Sequence, residues 1–356
     1  MELLFKNLKR QAPVVTEEGI ALPGTALDYK PLLLLPILGL IGLLFVREPS
    51  TWLTLTLAGI GMGFIIFLAA SGLTLVFGLM GIMNFGHSIF ITFGAIVGGM
   101  MFLPTVMPLL ACWCRADSIG LNLLALAIGG VIAMGLCAIA GLVFERLFVR
   151  KAYGQSLTIQ IMLTIGGMIV MEQLMAMFVG RGMIIVRPPS LRGLIEFGDV
   201  AIEKYRLMTL VVGLVLYAAM MLILKRTKLG LLVRAAVEQR DMVEAMGYKV
   251  KYLFVGFFVA GTALAGLGGL LYGTFQGTVG IRLGTDLMIP IFMVLIIGGL
   301  GSITGACVAA ILVGMLTNYV GFAYPPLTAF STIFLMFAVG LWRPQGLYPV
   351  SKGIAG

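Results

Sequence analysis

Residues 51–101 read TWLTLTLAGIGMGFIIFLAASGLTLVFGLMGIMNFGHSIFITFGAIVGGMM, with no Asp, Glu, Lys or Arg anywhere in the run. A helix crosses the roughly 30 Å hydrocarbon core of a bilayer with about 20 residues, so this stretch holds two crossings and not one. Gly78, Gly81 and Gly86 interrupt it near the middle. The reading is a pair of helices joined at a break. Backbone groups freed at such a break are tolerated at membrane depth only where protein covers them or they line a cavity.

The same ruler, moved outward, marks apolar segments at 31–46, 52–79, 88–110, 119–144, 156–180, 206–224, 252–275, 287–300, 303–320 and 326–342. The segments 287–300 and 303–320 are short, and Gly298, Gly299, Gly301 and Gly305 crowd their join, so incomplete or tightly folded crossings are expected there. Composition agrees. Of 356 residues, 60% are hydrophobic and 11% charged, against about 45–50% and about 25% in soluble domains. That excess excludes secreted enzymes, soluble binding modules and disordered chains. Continuous apolar runs, in place of alternating stretches of about ten residues, exclude an outer-membrane barrel. The predicted fold is all-α: a polytopic membrane protein of about ten transmembrane helices, some interrupted, with one large polar loop at 225–251.

An even number of crossings puts both termini on one side. With the N-terminus inside, 16 of the 24 Lys and Arg fall in the inner segments 1–30, 145–155, 225–251 and 343–356. That two-to-one bias predicts both ends in the cytoplasm. It also accounts for the net charge of +9 without nucleic acid as a partner. Residues 1–30 are expected to be a cytoplasmic tail and not a signal peptide, since no apolar stretch with a small-residue cleavage site directly follows their charges. The predicted organisation is therefore a tail over 1–30, a transmembrane domain over 31–342 and a second cytoplasmic tail over 343–356. Cys112, Cys114, Cys137 and Cys307 lack metal-ligand spacing, and no cofactor or metal is implied.

A faint internal symmetry accompanies the span pattern. From Leu75 the chain reads LVFGLMGIMNFGHSIFITFGAIVGG, and from Leu270 it reads LLYGTFQGTVGIRLGTDLMIPIFMVLIIGG. Each pairs an aromatic–Gly step (Phe77–Gly78, Tyr272–Gly273) with a distal Gly–Gly (Gly98–Gly99, Gly298–Gly299). The span count turns the first pair inside and the second outside, as an inverted repeat would. A chain with 48 Gly also generates such matches by chance.

The loop 225–251, KRTKLGLLVRAAVEQRDMVEAMGYKVK, is the most charged part of the protein. Within it Leu232, Ala235, Ala236, Val243 and Met246 recur at helical intervals, and Gly247 is a natural helix stop. A helix over 231–247 is expected, and composition leaves two roles open: lying on the membrane surface or docking into a partner's groove.

Arg234–Ala235–Ala236 followed by Glu244–Ala245–Met246–Gly247 resembles the coupling-helix signature of ABC-transporter permeases. The stretch from Gly72 to Ala95, GLTLVFGLMGIMNFGHSIFITFGA, resembles the most recognisable part of the branched-chain amino acid permease family. ERLFVRKAY (Glu145 to Tyr153) and GGLGSITGA (Gly298 to Ala306) resemble further family stretches, in the family's order. Gly86 stands where the family usually has Ala, and Ser88–Ile89 stands in place of Gly-Glu. The resemblance implies a bacterial inner-membrane permease subunit of an ABC importer for hydrophobic amino acids, or for related amides and urea. Such a subunit works with a second permease subunit, identical or paralogous, with cytoplasmic ATP-binding subunits and with a periplasmic substrate-binding protein. It implies that Arg234, Ala235, Glu244, Ala245 and Gly247 meet the ATPase. The chain has no Gly-Lys dipeptide and so no P-loop; P-loop ATP handling then belongs to another chain.

Asn84 and His87, the only histidine, are the best candidates for the substrate path, because they sit at the glycine-interrupted break. The plainer alternative is that they satisfy backbone groups freed there; proton chemistry is a third. Glu172 is the one carboxylate well inside a predicted span, where a charge costs about 2.5–3.5 kcal/mol and must face protein or water. It is either conduit-facing, an ion-coupling site, or a helix-packing residue. Asp286, four residues from Arg282, is expected to form a local ion pair. Gly59–Gly63, Gly94–Gly98, Gly273–Gly277 and Gly301–Gly305 have the spacing that lets helices approach closely. The loop over 181–206, with Pro188–Pro189 and several charges, is either a partner surface or a solvated connector. A stand-alone channel or secondary carrier remains as a second class, and an intramembrane enzyme is disfavoured by the lack of clustered catalytic groups.

Overall fold

The computed structural model describes residues 30–348, apart from Arg181, Val186 and Gln239, together with 15–16 and 19–20, which pair as a short antiparallel ladder. The predicted tail over 1–30 therefore lies almost wholly outside the described residues, as do 349–356 of the C-terminal tail. In chain order the helices are α1 (Leu34–Val46), α2 (Pro49–Met80), α3 (His87–Met101), α4 (Pro108–Arg115), α5 (Ile119–Phe144) and α6 (Leu157–Val179). There follow α7 (Lys204–Arg226), α8 (Lys228–Glu238), α9 (Arg240–Ala245), α10 (Val250–Gln276), α11 (Leu283–Gly298), α12 (Ile303–Ala323) and α13 (Thr328–Trp342).

Among the described residues, seven helices are long and apolar enough to cross a membrane, and three shorter apolar helices occupy the remaining expected segments. The chain is thus an all-α polytopic membrane protein. Two expectations shift. The segment 88–110 is not one helix: α3 stops at Met101, and Pro108 opens the separate α4 at the position where a proline's missing N–H is harmless. The segment ending at 144 runs further, through a π-helical turn, Glu145–Val149, into Arg150–Ala152.

At the centre α2 lies against α12 and α10, and α10 in turn against α3 and α5. Glycines bring these helices close together, against backbone at some crossings and against a side chain at others. A Cβ placed on Gly59 or Gly63 would lie 2.6 Å from Cα of Met315 or Ile311 respectively. Without a hydrophobic driving force between helices in lipid, such close approach and its dispersion contacts hold the bundle together. The pairing order (59 with 315, 63 with 311) makes α2 and α12 antiparallel.

The inverted symmetry is visible in the backbone. The long α2 ends at Gly81 (φ 63°) and passes through six residues into the short α3; α10 ends at Gly277 (φ 75°) and passes through six residues into the short α11. Both glycines take the left-handed conformation that caps a helix at little steric cost. The two linkers lie at opposite ends of the bundle. Residues 81–86 share an end with α8 and α9, because Met80 packs with Ala236 and Val243. Residues 277–282 share the other end with the 181–206 loop, whose strand Gly182–Ile184 pairs antiparallel with Thr278–Gly280.

Helices α6 and α13 are peripheral. Met177 and Phe178 on α6 are 80% and 84% exposed, and Leu341 on α13 is 87% exposed. Apolar side chains in such number on one subunit face lipid or another protein, not water.

Candidate functional site

The linker 81–86 is built by its own residues. Gly81 N–H closes on the Phe77 carbonyl at 2.9 Å, and His87 N–H turns back to the Asn84 carbonyl at 3.3 Å. The Thr164 hydroxyl of α6 accepts the Phe85 N–H at 3.4 Å and donates to the Gln160 carbonyl at 2.9 Å. The linker is therefore anchored to a peripheral helix and not only to its own neighbours.

Asn84 and His87 are both fully buried. His87 Nε2 lies 3.0 Å from the Ala69 carbonyl, and since a carbonyl only accepts, Nε2 carries the proton and Nδ1 is a bare acceptor. Among the described residues Nδ1 has no partner, and neither does Oδ1 or Nδ2 of Asn84. The bond to Ala69 reaches the interior of α2 and not a backbone group freed at the break. An unmade buried hydrogen bond costs about 1–3 kcal/mol per group, and native structures keep few of them without a reason.

Local packing explains the departure at position 86. A Cβ on Gly86 would lie 2.4 Å from Cζ of Phe144 and 3.1 Å from Asn84 Oδ1. Phe144 fills that space edge-on to Phe90, with ring centroids 5.5 Å apart. Gly72 is tighter still, its Cβ direction ending 2.1 Å from the Gly261 carbonyl oxygen and 2.8 Å from His87 Cε1.

Glu172 stands apart from this pair. It lies on α6 eight residues beyond Thr164, which is about 12 Å along the helix. It is half-buried, beside the exposed Ile169 and Val170. The structure brings Asn84 and His87 together and leaves Glu172 on an outward face. A carboxylate that the span count placed in a loop is the more deeply buried one: Glu145, 2% exposed, accepts the Tyr153 hydroxyl at 2.9 Å in the π-helical turn. Its position just past a predicted helix end hid it, although Glu145 and Tyr153 are the two ends of the stretch ERLFVRKAY.

The segment expected to be helical over 231–247 is helix from Lys228 to Glu238 (α8) and from Arg240 to Ala245 (α9), on either side of Gln239. Ala236 and Val243 are buried with Val250 and Phe254, and Leu232 and Ala235 pack beside them. Met246 belongs to the expected face by spacing but is 74% exposed, because it lies past the last residue of α9, in the turn that Gly247 closes. Tyr248 N–H bonds the Val243 carbonyl at 3.2 Å and Gly247 N–H bonds that of Glu244 at 3.0 Å, with Gly247 at φ 88°. This is the left-handed helix stop that glycine permits. Glu244, Ala245 and Gly247 are exposed. Arg234 lies within α8.

At the opposite end the 181–206 loop is no plain connector. Its hairpin pairs Leu194–Phe197 with Val200–Glu203. Glu203 binds Arg187 at 2.5 Å and Arg206 at 3.4 Å. Arg187 also donates to the carbonyls of Thr274 (3.2 Å) and Phe275, the unsatisfied end of α10. Both guanidinium groups lie over the Phe275 ring. Nothing in the spacing of these residues marks them as one cluster. Arg282 and Asp286 form no ion pair; they share only a backbone bond of 2.9 Å.

Residues 55–340 match the family model described as branched-chain amino acid transport system / permease component. The chain belongs to this permease family. Among its relatives, the high-affinity branched-chain amino acid transport system permease protein BraD of Pseudomonas aeruginosa is 26% identical over 305 residues, 81% of this chain and 93% of BraD. LivH of Escherichia coli K12, a permease protein of the same description, is 24% identical over 299 residues, 81% of this chain and 92% of LivH. The probable permease LivH of Methanocaldococcus jannaschii is 32% identical over 127 residues, 35% of this chain and 39% of its own length. No solved structure matches the chain.

Proposed function

We propose that the chain is the membrane-spanning permease subunit of an ABC importer of branched-chain amino acids in the bacterial inner membrane, with both ends in the cytoplasm. The observation that carries the coupling part is the packing of α8 and α9 on the membrane helices. Ala236 and Val243 rest on Met80 and Phe254, and Met80 is the last residue before the linker with Asn84. A push from an ATPase on the exposed Glu244, Ala245 and Gly247 passes through this contact to the linker, and Arg234 and Ala235 belong to the same docking element. In this reading Asn84 and His87 border the path that opens when the linker moves. The outward faces of α6 and α13 meet the second permease subunit, which gives Glu172 a protein surface in place of lipid. The end with the Arg187–Glu203–Arg206 cluster meets the substrate-binding protein.

The test is uptake of leucine, with urea as the competing substrate, into vesicles holding the chain with its ATPase, partner permease and binding protein. Uptake should require ATP and survive collapse of the ion gradients. Glu172→Gln should retain uptake within about twofold, since the half-exposed carboxylate is not asked to carry a proton. Uptake that ignores ATP and disappears with the gradients, or with Glu172→Gln, makes the chain a secondary carrier. His87→Ala removes the tie to the Ala69 carbonyl and the bare Nδ1 together. Uptake should fall by about tenfold, the equivalent of one buried hydrogen bond, while the complex still assembles in gel filtration. Unchanged uptake would leave His87 a packing residue.

A further inference from the structure

We propose that a cavity at the coupling-loop end, between Arg150 and Lys251, is an anion site that takes a phosphate group, supplied by an acidic phospholipid of the adjacent leaflet. The cavity holds about 310 Å³; its lining combines the exposed Arg150 and Lys251 and the Gln160 amide with Tyr153, Gly154 and the apolar Met80, Ile82 and Phe254. Arg150 comes from the extension of α5 and Lys251 from the first turn of α10, so two distant parts of the chain converge two cations on one space. Among the described residues neither makes an ion pair, and the ion pairs that do form involve Arg187, Glu203 and Arg206 at the opposite end. No acid lines the cavity among the described residues; the buried Glu145 lies behind it, accepting the hydroxyl of the lining Tyr153.

Two cations without an acid attract an anion, and a guanidinium offers the paired donors that suit phosphate. The apolar lining decides the source. A free inorganic phosphate needs only the two cations, whereas a phospholipid places its phosphate there and its glycerol and first methylenes against Met80, Ile82 and Phe254. The height in the bundle agrees, because both cations stand at the ends of membrane helices, where headgroups lie and basic pockets between helices hold them. A phosphate bridging Arg150 and Lys251 ties the foot of α10 to the α5–α6 turn, beside Ile82 of the linker and Phe254 of the coupling contact. It therefore tunes how readily the linker moves.

The purified full chain is placed in nanodiscs of phosphatidylcholine with or without phosphatidylglycerol, and retained lipid is counted by native mass spectrometry. The wild type should keep phosphatidylglycerol in preference to phosphatidylcholine. Arg150→Gln with Lys251→Gln should lose roughly 30-fold in that retention, as expected for two interfacial charges. Arg150→Lys with Lys251→Arg should keep it, and so should Arg226→Gln with Lys228→Gln, which removes two cations elsewhere on the same face. Equal retention by the wild type and the neutral pair overturns the proposal. If the neutral pair fails to fold, Lys251→Gln alone, at an exposed position, carries the same comparison. In phosphatidylcholine discs, inorganic phosphate should not raise the melting temperature of the wild type. A rise that the neutral pair lacks would reassign the site to free phosphate and overturn the lipid.

Discussion

Gly72→Val is expected to remove the folded protein from the membrane fraction. No side chain fits at this position, since the first added carbon would sit 2.1 Å from the Gly261 carbonyl oxygen and 2.8 Å from the His87 ring. The obstacle is backbone on the facing α10, so no rotamer change relieves it. The helices would have to part, losing the close contacts that hold them in lipid. Overpacking in a tight core costs about 1–3 kcal/mol, and immovable backbone puts this case at the upper end of single-residue effects, about 4–5 kcal/mol. That is a large share of a total stability of about 5–15 kcal/mol. Quantitative gel filtration of a fluorescent fusion should show less than about a tenth of wild-type monodisperse protein. Gly135→Ala on α5 is the contrast: a Cβ there meets nothing within 4 Å, so the helix gains up to about 1 kcal/mol and yield should not fall. Normal yield of Gly72→Val would mean that α2 and α10 do not touch through this face.

Val243→Asn is expected to abolish coupled uptake and leave the bundle intact. Among the described residues, Ala236, Val243, Val250 and Phe254 are buried in the contact that holds α8 and α9 to the membrane helices. Removing the Val side chain forfeits about 1.5–3 kcal/mol of burial, and the amide adds about 1–3 kcal/mol of unmet hydrogen bonding. A docking contact of two short helices opens locally more easily than the bundle, and a few kcal/mol tips it to the undocked side. The fraction competent to receive the ATPase then falls, and apparent coupling falls with it. ATP-driven uptake should drop at least about tenfold, since 1.4 kcal/mol is a factor of ten. The thermal melt of the detergent-solubilised bundle should stay unchanged, while limited proteolysis should cut within 228–247. Full uptake by Val243→Asn would show that force reaches the linker by another route.

The two substitutions differ in how visible their targets are in the sequence. Gly72 stands in a run of small and apolar residues, and the spacing of glycines signals close helix contact in general without saying which helix comes near. The facing partner is Gly261, 189 positions away, and only the packed bundle brings them together. Val243 was legible as one member of an apolar face. The face stops one residue sooner than its spacing suggests: Met246 lies past the end of α9 and is exposed.

Much of the candidate site was legible for one reason and incomplete for another. Asn84 and His87 stand out because polar side chains beside glycines are rare in an apolar run, and the structure buries both at the linker. Glu172 stands out by the same rarity. Depth along a span does not determine the direction a side chain faces, and α6 turns out to be a peripheral helix. Glu145 was overlooked because it lies just past an apolar segment, and the π-helical turn that carries the helix onward has no sequence signal of its own. The Arg187–Glu203–Arg206 cluster was invisible because its members come together only when the loop folds over the end of α10.

By itself the sequence determined the solvent, the fold class, the order of the apolar segments, the two glycine-broken helix pairs and the helical polar loop. Each rests on local quantities: the apolar length needed to cross a bilayer, the distribution of Lys and Arg, and the backbone freedom of glycine. Tertiary structure alone decided which helices form the centre, that Gly86 makes room for Phe144, and that Asn84 and His87 keep polar atoms without partners. It also decided that Arg150 and Lys251 face one cavity. These depend on contacts between residues far apart in the chain, and in lipid such contacts are chosen by shape and hydrogen bonding and not by the hydrophobic pattern that a sequence displays.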